Sequence, residues 1–251
     1  MAAAYDTYDY PSYWIGREYE HGSEIEALKA FLGKISQAKV ILEAGAGFGR
    51  LTPAYLYRAK KIILSDPSAK LLKLARKNFP ENNVQFIQVR LDKLPGKTRT
   101  KSVDLVILVR VMHHLEKPEE AFKVIRKLLK KKGYFILEFA NKCHYKARIA
   151  EFFRGNFTFA YDIFPKEVKG KRGKRIQTLP FLNFHPDLIA EKLKDAGFEI
   201  IEKRSVSNIR SPLLKKLFPL SLLLSLEKFL QKPLASINFG PSIFILAQKK
   251  G

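Results

Sequence analysis

The chain has 251 residues and carries 46 lysines and arginines against 24 aspartates and glutamates, a formal net charge of +22. That length suits one α/β domain with insertions and is enough to bury a sizeable core. A single cysteine, Cys143, excludes an intramolecular disulfide and fits a reducing cytoplasm.

In chain order, residues 1–38 form an N-terminal cap, tyrosine- and acid-rich, without a basic-then-apolar leader. The cap holds Tyr5, Tyr8, Tyr10, Tyr13, Trp14, Arg17, Tyr19 and His21. So many rings in one short stretch predict either a lid over a ligand or packing on a sheet. The run Val40-Ile41-Leu42-Glu43-Ala44 then reads as a strand, followed by Gly45, Gly47 and Gly49 at alternate positions. Glycines at such a turn let a ligand approach the backbone. Asp66 closes the next apolar run and is placed to accept hydrogen bonds from vicinal hydroxyls. Val84–Val89 reads as a third strand. Ser102–Val109 is nearly continuous apolar sequence, as in a central parallel strand. Pro118, Glu119 and Glu120 start a helix with apolar Ala121, Phe122, Ile125, Leu128 and Leu129. Lys130, Lys131 and Lys132 are expected at its C-terminal end, with Gly133 as its stop. Tyr134–Phe139 is the next expected strand. Residues 140–184 read as an aromatic and basic insertion. Pro186–Ala196 is an expected helix ended by Gly197, Phe198–Ser205 a strand, and residues 208–236 a second insertion. Ser242–Ala247 closes the sheet, as an antiparallel hairpin with the strand before it.

The glycine pattern decides which nucleoside cofactor fits. A nicotinamide fingerprint is G-x-G-x-x-G, and here the third glycine comes one residue early. The pattern E-x-G-x-G-x-G, Glu43 to Gly49, resembles motif I of class I S-adenosylmethionine (SAM) methyltransferases. The order of later strands is similar to the small-molecule branch of that family, typified by quinone and sterol modifiers. The resemblance covers Lys39 to Phe139 and returns at His185 to Val206 and Gly240 to Gln248. It implies a Rossmann-like α/β fold: a seven-stranded, mostly parallel sheet with helices on both faces and an antiparallel last strand. Residues 1–251 are then one methyltransferase domain. Residues 1–38 are its cap, 39–139 the cofactor-binding core, 140–184 a substrate-side insertion, and 185–251 the C-terminal core with insertion 208–236. The implied cofactor is SAM, with S-adenosylhomocysteine (SAH) as product. The implied cofactor-binding residues are Glu43, Gly45, Ala46, Gly47, Gly49, Asp66, Pro67, Leu91, Asp92, Val109, Arg110, Tyr13 and Arg17. Asp92 sits where the family often binds the adenine amino group, and Arg17 would lie near the methionine carboxylate. Glu43 is a sensible neighbour for a cationic sulfonium.

In open α/β sheets, ligands bind beyond the carboxyl ends of the strands, where cap and insertions can gather. Trp14, Tyr19, His21, Tyr145, Phe157 and Tyr161 are the candidate substrate-binding residues. His113 and His114 follow the fourth strand and are the catalytic candidates for a hydroxyl or phenol acceptor. Neighbours in sequence cannot both point into one pocket, so at most one of them acts. No cysteine or histidine cluster has metal-ligand spacing. No Asn-Pro-Pro-Tyr or Asp-Pro-Pro-Tyr segment follows the fourth strand, which removes the adenine and glutamine amino-methylase resemblance.

Much of the positive charge lies on single helix faces: Lys70, Lys73, Arg76 and Lys77 on one, Lys123, Arg126, Lys127 and Lys130 on another. Solvation explains such faces. The exception is Lys166 to Arg175, with six basic residues, which reads as a loop able to meet phosphate or an anionic membrane. The leucine-rich run from Leu217 to Leu226 is about half the length needed to cross a bilayer. It fits an apolar pocket or membrane-facing mouth, or else a buried or dimerising helix, the commoner use of such a run. The expectation is a cytoplasmic SAM-dependent enzyme acting on a small, apolar or amphiphilic acceptor, with peripheral contact to an anionic membrane. An RNA methyltransferase is the second reading, carried by charge alone. A non-catalytic SAM- or nucleotide-binding module is the third, carried by the lack of an unambiguous base.

Overall fold

The computed structural model describes residues 4–6, 9–80, 83–168 and 181–251. Tyr8 and most of the Lys166–Arg175 run, including Lys171, Arg172, Lys174 and Arg175, lie outside them. The chain forms nine strands and seven helices among the described residues. The strands are β1 (Val40–Ala44), β2 (Lys61–Asp66), β3 (Val84–Gln88), β4 (Val103–Leu108), β5 (Leu129–Ala140), β6 (Lys166–Glu167), β7 (Leu182–Asn183), β8 (Phe198–Val206) and β9 (Ser242–Lys249). The helices are α1 (Glu18–Leu32), α2 (Ala69–Asn78), α3 (Pro118–Leu128), α4 (Tyr145–Phe152), α5 (Pro186–Asp195), α6 (Pro212–Leu217) and α7 (Leu220–Ala235).

Seven strands make one sheet in the order β3-β2-β1-β4-β5-β9-β8, and β6 pairs with β7 apart from it. The first five strands are parallel, and β9 runs antiparallel to both β5 and β8. The continuous apolar sequence of β4 follows from cover on both sides. Leu105 and Ile107 face the core formed with α1 and α2, and Val106 and Leu108 face the core formed with α3 and α5. The strand order reverses at β1 and β4, so their carboxyl ends open the crevice where α/β sheets hold ligands.

The α3–β5 boundary corrects an expectation. Helix α3 stops at Leu128, and Leu129 is already extended, paired with Val103. Lys130, Lys131 and Lys132 therefore lie in β5, not at a helix end, and Gly133 is a strand residue rather than a stop. The register shifts between Val103 and Leu105, and Lys132 takes a left-handed φ of 58°. Lys130 reaches Asp104 at 2.7 Å. The ladder to β4 and that ion pair outcompete the last helical turn.

The leucine-rich helix α7 is neither a wholly buried rod nor a membrane span. Leu223 is buried, while Leu220, Leu222 and Leu226 are exposed. No helix among the described residues is long and apolar enough to cross a membrane. Helix α7 docks on α1 and β8. Gly22 of α1 lies so close to Leu224 that a Cβ would meet its Cδ1 at 2.7 Å. Buried Glu227 accepts hydrogen bonds from Tyr19 Oη (2.5 Å), Ser207 N (2.8 Å) and Asn208 N (3.1 Å). Tyr19 Oη in turn accepts from Ile209 N at 3.0 Å. The Tyr19 hydroxyl therefore ties α1, α7 and the end of β8 together. Tyr19→Phe should destabilise the fold by about 1–3 kcal/mol, the cost of leaving buried partners unpaired. Urea denaturation would measure this, and an unchanged midpoint would refute the strut.

Candidate functional site

The chain leaves β1 through Gly45-Ala46-Gly47-Phe48-Gly49, and the three glycines have φ of 74°, 57° and 80°. Their surroundings differ. A Cβ on Gly45 would sit 2.2 Å from Val111 Cγ2, and one on Gly49 would sit 2.4 Å from Phe79 Cε2. One on Gly47 would meet only Leu71 and Tyr10, at 3.8 Å. The outer two glycines are thus required by the protein's own packing. At the middle one a Cβ would make ordinary contacts, so it is the left-handed φ of 57° that calls for glycine. Gly45 N and Ala46 N both donate to the Ser65 carbonyl, at 2.7 and 3.0 Å, which stitches the turn to β2.

Asp66 ends β2 and is held from two sides. Gly47 N donates to its Oδ2 at 2.9 Å, and Ser68 N to its Oδ1 at 2.8 Å. Burial pushes this carboxyl up to about 6, against the two amides, which lower it. Each oxygen keeps acceptor capacity for a further donor. Glu43, one strand over, is spent on the protein itself: Tyr55 Oη and Thr52 Oγ1 donate to its Oε2. Burial pushes it up to about 7.

The cap lies over this turn. Tyr10 stands edge-on to Phe48, with ring centroids 6.1 Å apart, and burial pushes its hydroxyl up to about 12. Asp6 accepts from Ser68 Oγ at 2.6 Å, at the start of α2. Tyr5 Oη and His114 Nε2 are 2.6 Å apart. From α1, the fully buried Glu24 pairs with two arginines. Arg50 follows the last glycine, and Arg110 follows β4, 2.5 Å away. Burial alone would raise Glu24, but Arg110 and Arg50 outweigh it and hold the carboxylate below its ordinary range. The guanidinium of Arg50 lies 3.6 Å over the Trp14 ring and 2.6 Å from His21 Nδ1. Arg110 has a left-handed φ of 62°, and its N–H donates to Glu138 Oε2 at 2.8 Å. Ser242 Oγ donates to the other oxygen of Glu138.

Residues 42–137 match a family model described as a methyltransferase domain. The chain carries a class I SAM-dependent methyltransferase domain. An uncharacterized methyltransferase-like protein of Schizosaccharomyces pombe is 36% identical over 100 residues, 39% of this chain and 37% of that protein. A malonyl-[acyl-carrier protein] O-methyltransferase of Halalkalibacterium halodurans is 33% identical over 104 residues, 40% of this chain and 38% of that protein. The chain thus aligns with under two-fifths of the length of these relatives. A crystal structure of a SAM-dependent methyltransferase of Thermotoga maritima, a possible histamine N-methyltransferase, shares the fold. Its TM-score is 0.64 with 17% identity, over 98% of each chain.

Within the methyltransferase domain the expected residues fall into three groups. Gly45, Ala46, Gly47, Gly49, Asp66, Val109 and Arg110 gather at the carboxyl ends of β1, β2 and β4. Tyr13, Trp14, His21 and His114 come over them from the cap and the β4 tip. Pro67, Leu91 and Asp92 rim the ends of β2 and β3, where Asp92 is exposed and pairs with Arg90 at 3.2 Å. The others point elsewhere. Arg17 is exposed and stacks 4.1 Å over Tyr13, so the interior arginines are Arg50 and Arg110. Tyr145 stacks on Phe239 at 4.2 Å. Phe157 and Tyr161 are exposed, and Tyr19 is the strut described above. His113 is buried against Phe181, 4.4 Å between centroids. Sequence reasoning passed over Glu24, Arg50 and Glu138. Arg50 carried a signal, its place directly after Gly49. Glu24, one of several acids on α1, carried none.

Glu43 and Asp66 set a pH dependence. Each has a folded pKa above its ordinary value, so each contributes stability that is full below about pH 4 and lost as pH rises through about 6 (Asp66) or about 7 (Glu43). The Glu43 share is about 3 kcal/mol between the two limits. In Glu43→Gln an amide oxygen still accepts from Tyr55 and Thr52. This variant should lose distinctly less stability than the wild type between acid and neutral pH, read by urea midpoints. Parallel pH profiles for the two proteins would contradict the buried-acid assignment.

Proposed function

We propose that the chain transfers a methyl group from SAM to a small, apolar or amphiphilic acceptor. The observation that carries this is the pairing of Gly47 with Asp66. A left-handed glycine donates its N–H to a buried carboxylate at the strand tip, so bare backbone lies beside that acid. Those residues fit a nucleoside cofactor. Asp66 would accept from the ribose hydroxyls, and Leu91 and Asp92 would border the adenine. Arg50 and Arg110, both paired with Glu24, would be the cations available to the carboxylate at the amino-acid end of the cofactor. The relative from Halalkalibacterium halodurans, an O-methyltransferase, supports an oxygen acceptor as one form of this chemistry.

SAM supplies an electrophilic methyl group on a sulfonium with a neutral leaving group. The chain's part is positioning and exclusion of water. Tyr10, Tyr13 and Trp14 form an aromatic roof, with ring centroids 5.4–6.3 Å apart. Tyr10 keeps its proton at neutral pH and so is not a base. For a hydroxyl acceptor, His114 is the candidate base, and its Nε2 would take the proton once the acceptor displaces the Tyr5 hydroxyl 2.6 Å away. His113 is committed to packing on Phe181. Among the described residues, the basic helix faces do not join in one groove. Exposed Lys70, Lys73, Arg76 and Lys77 lie on α2, while exposed Lys123, Arg126 and Lys127 lie on α3, against the opposite core.

Titration calorimetry with SAH tests the reading. Asp66→Asn should weaken binding by roughly tenfold or more, since charge-assisted hydrogen bonds are lost. Wild-type affinity should fall as pH drops through about 6, because the protonated carboxyl must first lose its proton, and this dependence should vanish in the variant. Gly47→Val should abolish binding, because a branched residue is strained at a φ of 57° and would displace the turn that contacts Asp66. Equal affinity in all three proteins would end the proposal.

With a phenolic or quinol acceptor, His114→Ala should lower kcat by about two orders of magnitude, the usual worth of a general base, with SAH affinity unchanged. An unchanged kcat would leave positioning alone to explain the transfer.

A further inference from the structure

Helix α7 is built inside out. Its inward face carries Glu227 and Gln231 at 0% exposure, one helical turn apart, between Leu223 and Ala235. Its outward stripe is Leu222, Leu226 and Phe229, at 43%, 46% and 77% exposure. A helix that faces water places its leucines inward and its polar residues outward. The preceding α6 repeats the pattern, with Leu213 and Leu217 at 63% and 64% exposure and Leu214 and Phe218 exposed beside them. Exposed large apolar side chains thus recur along both successive helices, more densely than scattered surface leucines would.

Within α6 and α7 the exposed charge has one sign, although Lys228 also approaches Glu26 of α1 at 4.0 Å. Between Ser207 and Lys250 the sole acid in the sequence is Glu227, and it is buried in hydrogen bonds to Tyr19, Ser207 and Asn208. Arg210, Lys216, Lys228 and Lys232 are exposed around the leucines. Lys215 is held back against α1, 2.5 Å from Glu20 and 4.5 Å over the Tyr19 ring. A second copy would bring the same lysines face to face across a two-fold axis. An RNA would meet the lysines but leave the leucines and Phe229 without an apolar partner. An anionic bilayer answers both: lipid headgroups for the lysines and acyl chains for the apolar side chains.

We propose that the α6–α7 hairpin docks the protein peripherally on an anionic lipid bilayer, with Leu213, Leu217, Leu222, Leu226 and Phe229 inserted at the headgroup boundary. Helix α1 connects this region to the site. Lys215 of α6 contacts Glu20, and His21, the next residue, contacts Arg50 beside the glycine turn. An apolar acceptor dissolved in the membrane would enter from this side. That consequence rests on the acceptor class proposed above. The docking does not depend on it.

Vesicle flotation of the full chain tests the docking without a methyl acceptor. The protein should float with vesicles of equal parts phosphatidylcholine and phosphatidylglycerol, and remain behind with phosphatidylcholine alone. Leu217→Ser with Phe229→Ser removes two exposed apolar anchors. Partitioning should fall by roughly tenfold or more, as the loss of buried apolar area implies. Lys216→Ser with Lys228→Ser and Lys232→Ser should also weaken partitioning, by roughly tenfold or more, since each basic residue near an anionic surface contributes on the order of 1 kcal/mol. Circular dichroism and SAH calorimetry should match the wild type in both variants, which separates a docking failure from failure of the methyltransferase reading. Wild-type protein that does not float with anionic vesicles would overturn the proposal. So would an apolar variant that floats as well as the wild type, or a wild-type dimer that the apolar variant dissociates in the absence of lipid binding.

Discussion

The pairing of Glu24 with Arg50 and Arg110 is the constraint on which the rest of the site depends. A carboxylate with no exposed surface is several kcal/mol too costly to bury unless cations and hydrogen bonds surround it. Two guanidiniums meet that need here, and they come from two different parts of the fold. Arg50 leaves the glycine turn after β1, and Arg110 leaves the tip of β4. Those two strands flank the point where the sheet order reverses. The triad thus pins the cap helix α1 across the crevice. Arg110 is fixed in turn by its left-handed backbone and by Glu138 on β5, which Ser242 on β9 holds. The chain of contacts runs from the cap to the antiparallel last strand through buried, partnered charges.

Acids are concentrated at the carboxyl end of the sheet in a chain otherwise dominated by lysine. Glu43, Asp66, Glu138 and Glu24 are all buried there. Burial raises the first three, and only Glu24 has enough opposing charge to fall below its ordinary range. This gradient has a physical use. Glu43 is satisfied by hydroxyls and Glu138 by a backbone amide and a serine. Asp66 takes one backbone amide on each oxygen and keeps acceptor capacity on both. The surface lysines on α2 and α3 sit far from this economy, solvated on helix faces whose other sides are apolar.

The elements were legible in the sequence wherever one rule governed a stretch of chain. The apolar runs of β1, β2 and β4, the proline and glutamates opening α3, and Gly197 after α5 each stated a local preference that the fold kept. The one misplaced boundary, Lys130 to Gly133, fell where two rules competed. Lysines suit a helix end, but strand pairing with Val103 and the Asp104 ion pair are long-range terms. Among the site residues, the glycine turn and Asp66 were legible because their spacing is local. Arg17 and Arg50 are both basic, and only the tertiary structure separates them, with Arg17 stacked on Tyr13 in solvent and Arg50 paired with buried Glu24.

The sequence by itself determined the alternation of strand and helix, the three left-handed glycines and the acid at the tip of β2. These depend on side-chain size, periodicity and the missing Cβ, which are properties of a residue and its near neighbours. The tertiary structure alone decided which polar residues meet across long separations: Glu24 with Arg110, Tyr19 with Glu227, Tyr5 with His114. It also decided that α7 turns Glu227 inward and Leu226 outward. A leucine-rich helix read as a string presents an apolar sequence with no direction. Which face meets α1 is set by the close approach at Gly22 and by the buried amides that Glu227 must satisfy.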